Sequence, residues 1–246
     1  MPTIYAESSD GWISSGGSHS SWSSARDATA GNTVDTNNTF DTFGAGVVYT
    51  AVKGGSGSFE VVRAYFRFDF SSVSGTVDSG ATLSIRGYTS AGNPKARIMR
   101  STAFTGGSNT LVVGDFDLVQ FATDYSSSNP VTWNASGYND FTLNSDAIDD
   151  INNNGELIVC LIEHVYDYYD FDPSTSPGGT YAGGLIPTYS DKKIGITWRD
   201  RGTATAPHID YTVTAGYGHN VNVVAPSNIK FINNVQTANI DKVNDV

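Results

Sequence analysis

The chain has 246 residues, of which 12% are aromatic and only 16% charged, with 26 glycines and a single cysteine. That length suits one large β domain or two small ones, and the composition favours strands joined by tight turns over amphipathic helices. The formal charge of -11 repels phosphate backbones and argues against nucleic-acid binding, and no apolar run is long enough for a membrane-inserted helix.

Thr3–Ala6 reads as a short strand, and Gly11–Ser24 as a Ser/Gly-rich segment carrying Trp12 and Trp22. The polar stretch Asn32–Thr42 predicts a long surface loop, Gly46–Val52 a strand and Gly54–Ser58 a turn. Phe59–Phe70 is the expected central strand. Within it Ala64, Phe66, Phe68 and Phe70 alternate with Tyr65, Arg67 and Asp69, the period of two of a half-buried strand. An inward Arg67 would need a carboxylate partner, because unpaired buried charge is costly. Ala81–Thr89, Ala96–Ser101 and Thr110–Gly114 predict further strands.

Asp146–Asn152 is expected to turn helically, capped by Ser145 or Asp146 and ended at Gly155. Glu156–Tyr166 reads as an apolar strand, and its Cys160 as a small buried hydrophobe rather than a nucleophile. A wide loop runs from Asp167 to Ser190, and loops of that length are usually functional or interface-forming. Lys193–Arg199 and Ile209–Thr214 supply two late strands. Trp133 and Trp198 are expected in the core. This succession predicts an all-β fold, an antiparallel β-sandwich of jelly-roll type over residues 1–216.

Residues 217–246 form a C-terminal extension rich in Asn. Ile229-Lys-Phe-Ile-Asn-Asn-Val235 recurs as Ile240-Asp-Lys-Val-Asn-Asp-Val246, so both copies read Ile-x-x-(Ile/Val)-Asn-x-Val. Two copies bury no core of their own. The extension is therefore expected to act as an assembly arm, docking through Ile229, Phe231, Ile232, Val235, Ile240, Val243 and Val246, or to fold back on its own domain.

Candidate sites divide by chemistry. Glu163, Asp167, Asp170 and Asp172 offer hard oxygens to a structural calcium, although their spacing is not that of an EF-hand; a solvated loop needs the same residues. Asp115 and Asp117, with Asp124 nearby, would share one strand face as a second oxygen cluster. As paired carboxylates they also raise glycoside hydrolysis, but spacing alone does not set the separation that reaction needs. Trp12, Trp22, Tyr168, Tyr169 and Tyr181 suit stacking on sugar rings, and equally a subunit interface. His19, His164, His208 and His219 lack zinc-site spacing, and no Gly-x-Ser-x-Gly elbow is present. No cofactor is expected beyond that calcium.

The chain resembles the DNRLRE/disaggregatase-related jelly-roll domains, relatives of carbohydrate-binding modules. The resemblance runs through Ile4-Tyr-Ala, Ser9-Asp-Gly-Trp-Ile13, Phe66-Arg-Phe-Asp-Phe70, Ala81-Thr-Leu83, Tyr138-Asn-Asp-Phe-Thr-Leu143, Asn154-Gly-Glu-Leu-Ile-Val159, Ile196-Thr-Trp-Arg-Asp-Arg201 and Ala206-Pro-His-Ile-Asp-Tyr-Thr-Val213. It implies a sandwich found in secreted wall-associated and large surface proteins. The terminal repeats resemble short C-terminal repeats of marine phage virion proteins. The segment after Met1 lacks the basic and apolar regions of a secretory signal.

Together these readings lead to the expectation of a non-enzymatic structural protein. It would be a virion subunit (capsid-decorating or tail-associated) or part of a similar surface assembly, made without a signal peptide and partnered by itself or a neighbouring subunit. The alternative is a carbohydrate-binding or adhesion module.

Overall fold

A computed structural model describes residues 1–36, 40–51, 57–127, 130–175, 180–181, 184–185, 191–214, 231–232 and 235–236. The first half contains β1 (Thr3–Tyr5), β2 (Gly11–Ser14), α1 (Trp22–Arg26), β3 (Thr33–Asp35), β4 (Phe40–Thr50), β5 (Ser58–Asp69), β6 (Thr76–Val77), β7 (Thr82–Ala91) and β8 (Lys95–Ser101). The middle contains β9 (Val119–Asp124), β10 (Val131–Thr132), β11 (Tyr138–Thr142), α2 (Ser145–Asn154) and β12 (Glu156–Glu163). The remainder comprises β13 (Thr180–Tyr181), β14 (Gly184–Leu185), β15 (Lys192–Thr197), β16 (His208–Asp210), β17 (Val213–Thr214), β18 (Phe231–Ile232) and β19 (Val235–Gln236).

Thirteen of these strands form one hydrogen-bonded sheet folded into a sandwich, with the path β1-β16-β7-β15-β4-β5-β12-β8-β10. The fold is all-β and antiparallel, as the alternating runs predict. Strand β7 belongs to both layers. Thr82–Arg86 pairs with β11, while Gly87 and the residues after it pair with β15. At that corner a side chain on Gly87 would place its Cβ 2.0 Å from the Asn134 carbonyl oxygen, so the position admits only glycine.

The main core lies between the layers. Phe66, Phe68, Leu157, Val159 and Leu161 meet Leu83, Ile85, Phe141 and Ile209, with Trp133 and Trp198 inside. Ala64, Phe66, Phe68 and Phe70 share this core, as the period of two predicts. The opposite face of β5 is covered as well. Phe59, Val61 and Tyr65 pack with Ile13, Trp22, Phe116, Cys160 and Tyr166 in a second core. Positions 61 to 66 are consecutively buried, the mark of a strand sandwiched on both faces. That face reaches water only at Arg67 and Asp69.

Four segments differ from expectation. The loop expected over Asp167–Ser190 contains the paired strands β13 and β14. Asn32–Thr42 contains β3 and the start of β4 rather than only loop. Thr110–Gly114 is no strand: Val113–Asp117 forms a 3-10 turn. The strand expected to reach Tyr166 stops at Glu163, whose carboxylate accepts the amides of Val165 and Tyr166 at 2.8 and 2.6 Å and opens a π-helical turn, His164–Tyr168. Helix α2 is close to the reading, except that Asn144 is the cap, accepting from Ala147 N at 3.2 Å. Gly155 ends it in the left-handed region at φ 70.

Candidate functional site

The residues expected to bind sugar or metal are mostly engaged within the fold. Trp12 is half-buried, and its indole donates to Asp41 at 2.9 Å; the Trp198 indole donates to the same oxygen at 2.6 Å. Trp22 is 5% exposed and donates to Asp170 at 2.9 Å. Tyr168 lies under the Arg97 guanidinium, 4.3 Å from its ring centre, and Tyr169 meets His164 edge-on at 4.8 Å. Tyr181 lies in β13, which pairs with β14.

The four carboxylates proposed for calcium do not converge. Glu163 is buried as the cap just described. Asp167 receives two bonds from Arg63, Nε at 2.9 Å and Nη2 at 2.8 Å. Asp170 is exposed beside Trp22 and Arg26, and Asp172 caps a local turn through Ser174. Among the described residues no three His, Cys, Asp or Glu side chains stand together as a metal site.

Arg63, which the sequence reading passed over, is the most fully engaged charge. It is completely buried, donates also to the carbonyls of Phe116 and Arg26 at 3.0 and 2.8 Å, and lies 4.3 Å from the Phe116 ring centre. Burial alone would lower its pKa, but Asp167 outweighs it and holds the guanidinium above its ordinary value. Burial pushes the neighbouring Cys160 thiol up, which leaves it unreactive.

Asp115 does not share a strand face with Asp117. Its buried carboxylate accepts from Phe104 N at 3.0 Å, Thr105 Oγ1 at 2.5 Å and Val112 N at 3.0 Å. It thereby holds a loop in which Phe104, Ser108 and Asn109 all have left-handed backbones, at φ 68, 62 and 57. Such backbone persists only where surrounding structure over-determines it.

That loop forms one wall of a cleft of about 330 Å³. β5 contributes Arg67, β8 contributes Arg100, β12 contributes Glu156, and α2 contributes Asp150 and Asn154. Arg67 does not point into the inter-layer core; from the opposite face of β5 it bonds Glu156 at 2.9 Å and also Glu7. Desolvation would lower its pKa, but the two carboxylates raise it. Arg100 bonds Asp150 at 2.8 Å, and the other Asp150 oxygen accepts the Tyr125 hydroxyl. Burial first, and then Asp150, hold that phenol well above its ordinary range. Guanidinium and carboxylate groups thus face one another along the cleft, each held by its partner.

Comparison with protein-family models and with curated proteins finds no match.

Proposed function

We propose that this chain is a non-catalytic recognition protein whose sandwich holds a glycan in the cleft between β5, β8, β12 and α2. The observation that carries the reading is the cleft's lining of opposed guanidinium and carboxylate groups, anchored on strands and a helix. Sugar hydroxyls donate and accept at once, and a site that offers both in fixed positions recognises them with little ordering cost. The DNRLRE-like sequence pattern points to the same class. Affinity electrophoresis against a panel of polysaccharides tests it. At least one should retard the wild-type chain, and Arg100→Gln or Asn154→Ala should remove that retardation while the protein stays folded. A panel without effect overturns the reading.

A second reading, a structural subunit of a virion or similar surface assembly, is supported by the arm. Phe231–Ile232 pairs antiparallel with Val235–Gln236, and among the described residues this hairpin joins no other strand. Ile229, Ile240, Val243 and Val246 lie outside the described residues. An isolated two-stranded hairpin is marginal in water, so its apolar repeat needs cover. Deleting residues 217–246 should lower the number of subunits per assembly by native mass spectrometry and leave the sandwich folded. An unchanged subunit number refutes a role in assembly. The two readings are compatible, since a subunit of a surface lattice can carry a glycan site.

A further inference from the structure

All eight arginines lie among the described residues, and they divide into two groups. Arg26, Arg63, Arg67, Arg97 and Arg100 each have a carboxylate within 4 Å. Among the described residues Arg86, Arg199 and Arg201 have none, in a chain that carries 25 acidic residues. Each of these three instead faces an aromatic ring: Arg86 at 5.7 Å from Tyr138, Arg199 at 5.6 Å from Tyr5, Arg201 at 5.3 Å from Phe40.

Two of them converge. Arg86 and Arg201 line one cavity of about 320 Å³ at the Gly87 corner, together with Tyr88, Ser136, Thr197 and Thr205. Among the described residues no carboxylate lines it; Asp200, between Arg199 and Arg201, faces a neighbouring cavity instead. Beside it stand two of the few large exposed apolar side chains, Phe40 at 41% and Tyr88 at 43%, packed against each other with ring centres 4.4 Å apart.

The walls are fixed in advance. Buried Asn139 accepts from Asn134 N at 2.7 Å and donates to the carbonyls of Ile85 and Asn134. Gly87 N donates to Gly137 O at 2.9 Å. The Tyr138 hydroxyl donates to Ala204 O at 3.1 Å and ties the turn at Ser136 to the segment after Arg201.

We propose that this corner is an anion-accepting sugar subsite, which takes the carboxylate of an acidic saccharide between Arg86 and Arg201. The Tyr88 and Phe40 rings would cover the sugar's C–H face, and the Ser136, Thr197 and Thr205 hydroxyls would meet ring hydroxyls. Its volume sits at the small end of the roughly 300–1,000 Å³ range of ligand sites, enough for a single residue of a chain rather than an extended segment. Guanidinium supplies the planar donor pair that a carboxylate matches. The proposal deepens the glycan reading by naming the ligand's charge, and it rests on that reading.

The test is affinity electrophoresis of the full chain in gels holding polygalacturonate or a neutral mixed-linkage glucan. Arg86→Gln with Arg201→Gln, and separately Tyr88→Ala, should each weaken retardation by polygalacturonate roughly ten-fold, the cost of one charge-assisted pair or one ring platform, and leave glucan retardation as it was. Unchanged retardation in polygalacturonate overturns the subsite. So does a loss seen only in the arginine variants and copied by competing polyglutamate or inorganic sulfate, which would mark a bare anion site. If glucan retards the chain through Arg100 while the corner variants do nothing, the subsite alone fails. If no polysaccharide retards the wild type, the glycan reading falls and the subsite with it.

Discussion

Arg63 and Arg201 carry the same charge in opposite circumstances. Around Arg63 four hydrogen bonds, two of them to one bidentate carboxylate, and an aromatic ring close every side, and no water reaches it. Arg201 is exposed, has no carboxylate within 4 Å among the described residues and leans on an exposed ring. The first arrangement has no capacity left for a ligand, and removing any part of it leaves a buried charge unanswered. The second is stable because water solvates it, and a ligand can replace that water. A charged ligand group is to be sought at the corner, where charge is left over; Arg63 has none to offer.

The sharpest way to break the contrast is at Asp167. Asp167→Ala should destabilise the fold by about 3–5 kcal/mol, the cost of a buried charge stripped of its partner, measured by urea unfolding. Replacing both members, Arg63→Met with Asp167→Leu, should recover a large part of that loss. A single variant that unfolds like the wild type would mean that water already reaches the pair.

Asp115→Ala should cost about 2–4 kcal/mol, since several buried amides lose their acceptor. It should also raise hydrogen exchange across residues 102–112 before the rest of the sandwich opens. Protection that stays uniform would show that the left-handed loop is held by something other than this carboxylate.

Glu163 sharpens the comparison through pH. Burial raises its pKa from 4.5 to about 7 despite two amide donors, and its Oε1 has no hydrogen-bond partner. Because the folded pKa is raised, its contribution to stability is complete below about pH 4.5 and is lost as pH rises toward 7. His164 runs the other way. Burial, Arg97 and Lys95 hold it at about 4, so its contribution is lost as pH falls from about 6.5. Glu163→Gln removes only the first effect. The stability of the variant relative to the wild type should therefore rise by about 3 kcal/mol between pH 4.5 and 7. A difference that stays constant across that window would place the Glu163 carboxyl in contact with water.

At the corner the expected stability change is the smallest. Arg86→Gln and Arg201→Gln should each shift unfolding by less than about 0.5 kcal/mol, as surface substitutions do. A large loss there would turn the corner into a second structural node and remove the contrast.

The parts of the fold visible in the sequence were local ones. The Phe66, Phe68 and Phe70 alternation located β5, and the run around Cys160 located β12. Ser145, Asp146 and the glycine at 155 located α2, though the cap itself is Asn144, because caps and strand periodicity are written within a few positions of the element they define. The second core was less visible. Val61-Val-Arg-Ala-Tyr-Phe66 is apolar at both parities apart from Arg63, which is the signal of a strand covered twice. The partner of Arg63 lies 104 residues away, and nothing near either residue names the other. The candidate cleft was invisible for the same reason: Arg67, Arg100, Asp150 and Glu156 come from four separate elements.

Hydrophobic periodicity and turn chemistry sufficed to specify an antiparallel sandwich, a buried thiol and a single substantial helix. They could not say which charges would be paired. Pairing depends on distances of a few ångströms between segments far apart along the chain, and those distances exist only after β7 has crossed between layers and the loops have closed over β5. Tertiary structure alone decided that Arg63 and Asp167 hold the molecule together, and that Arg86 and Arg201 are left facing outward.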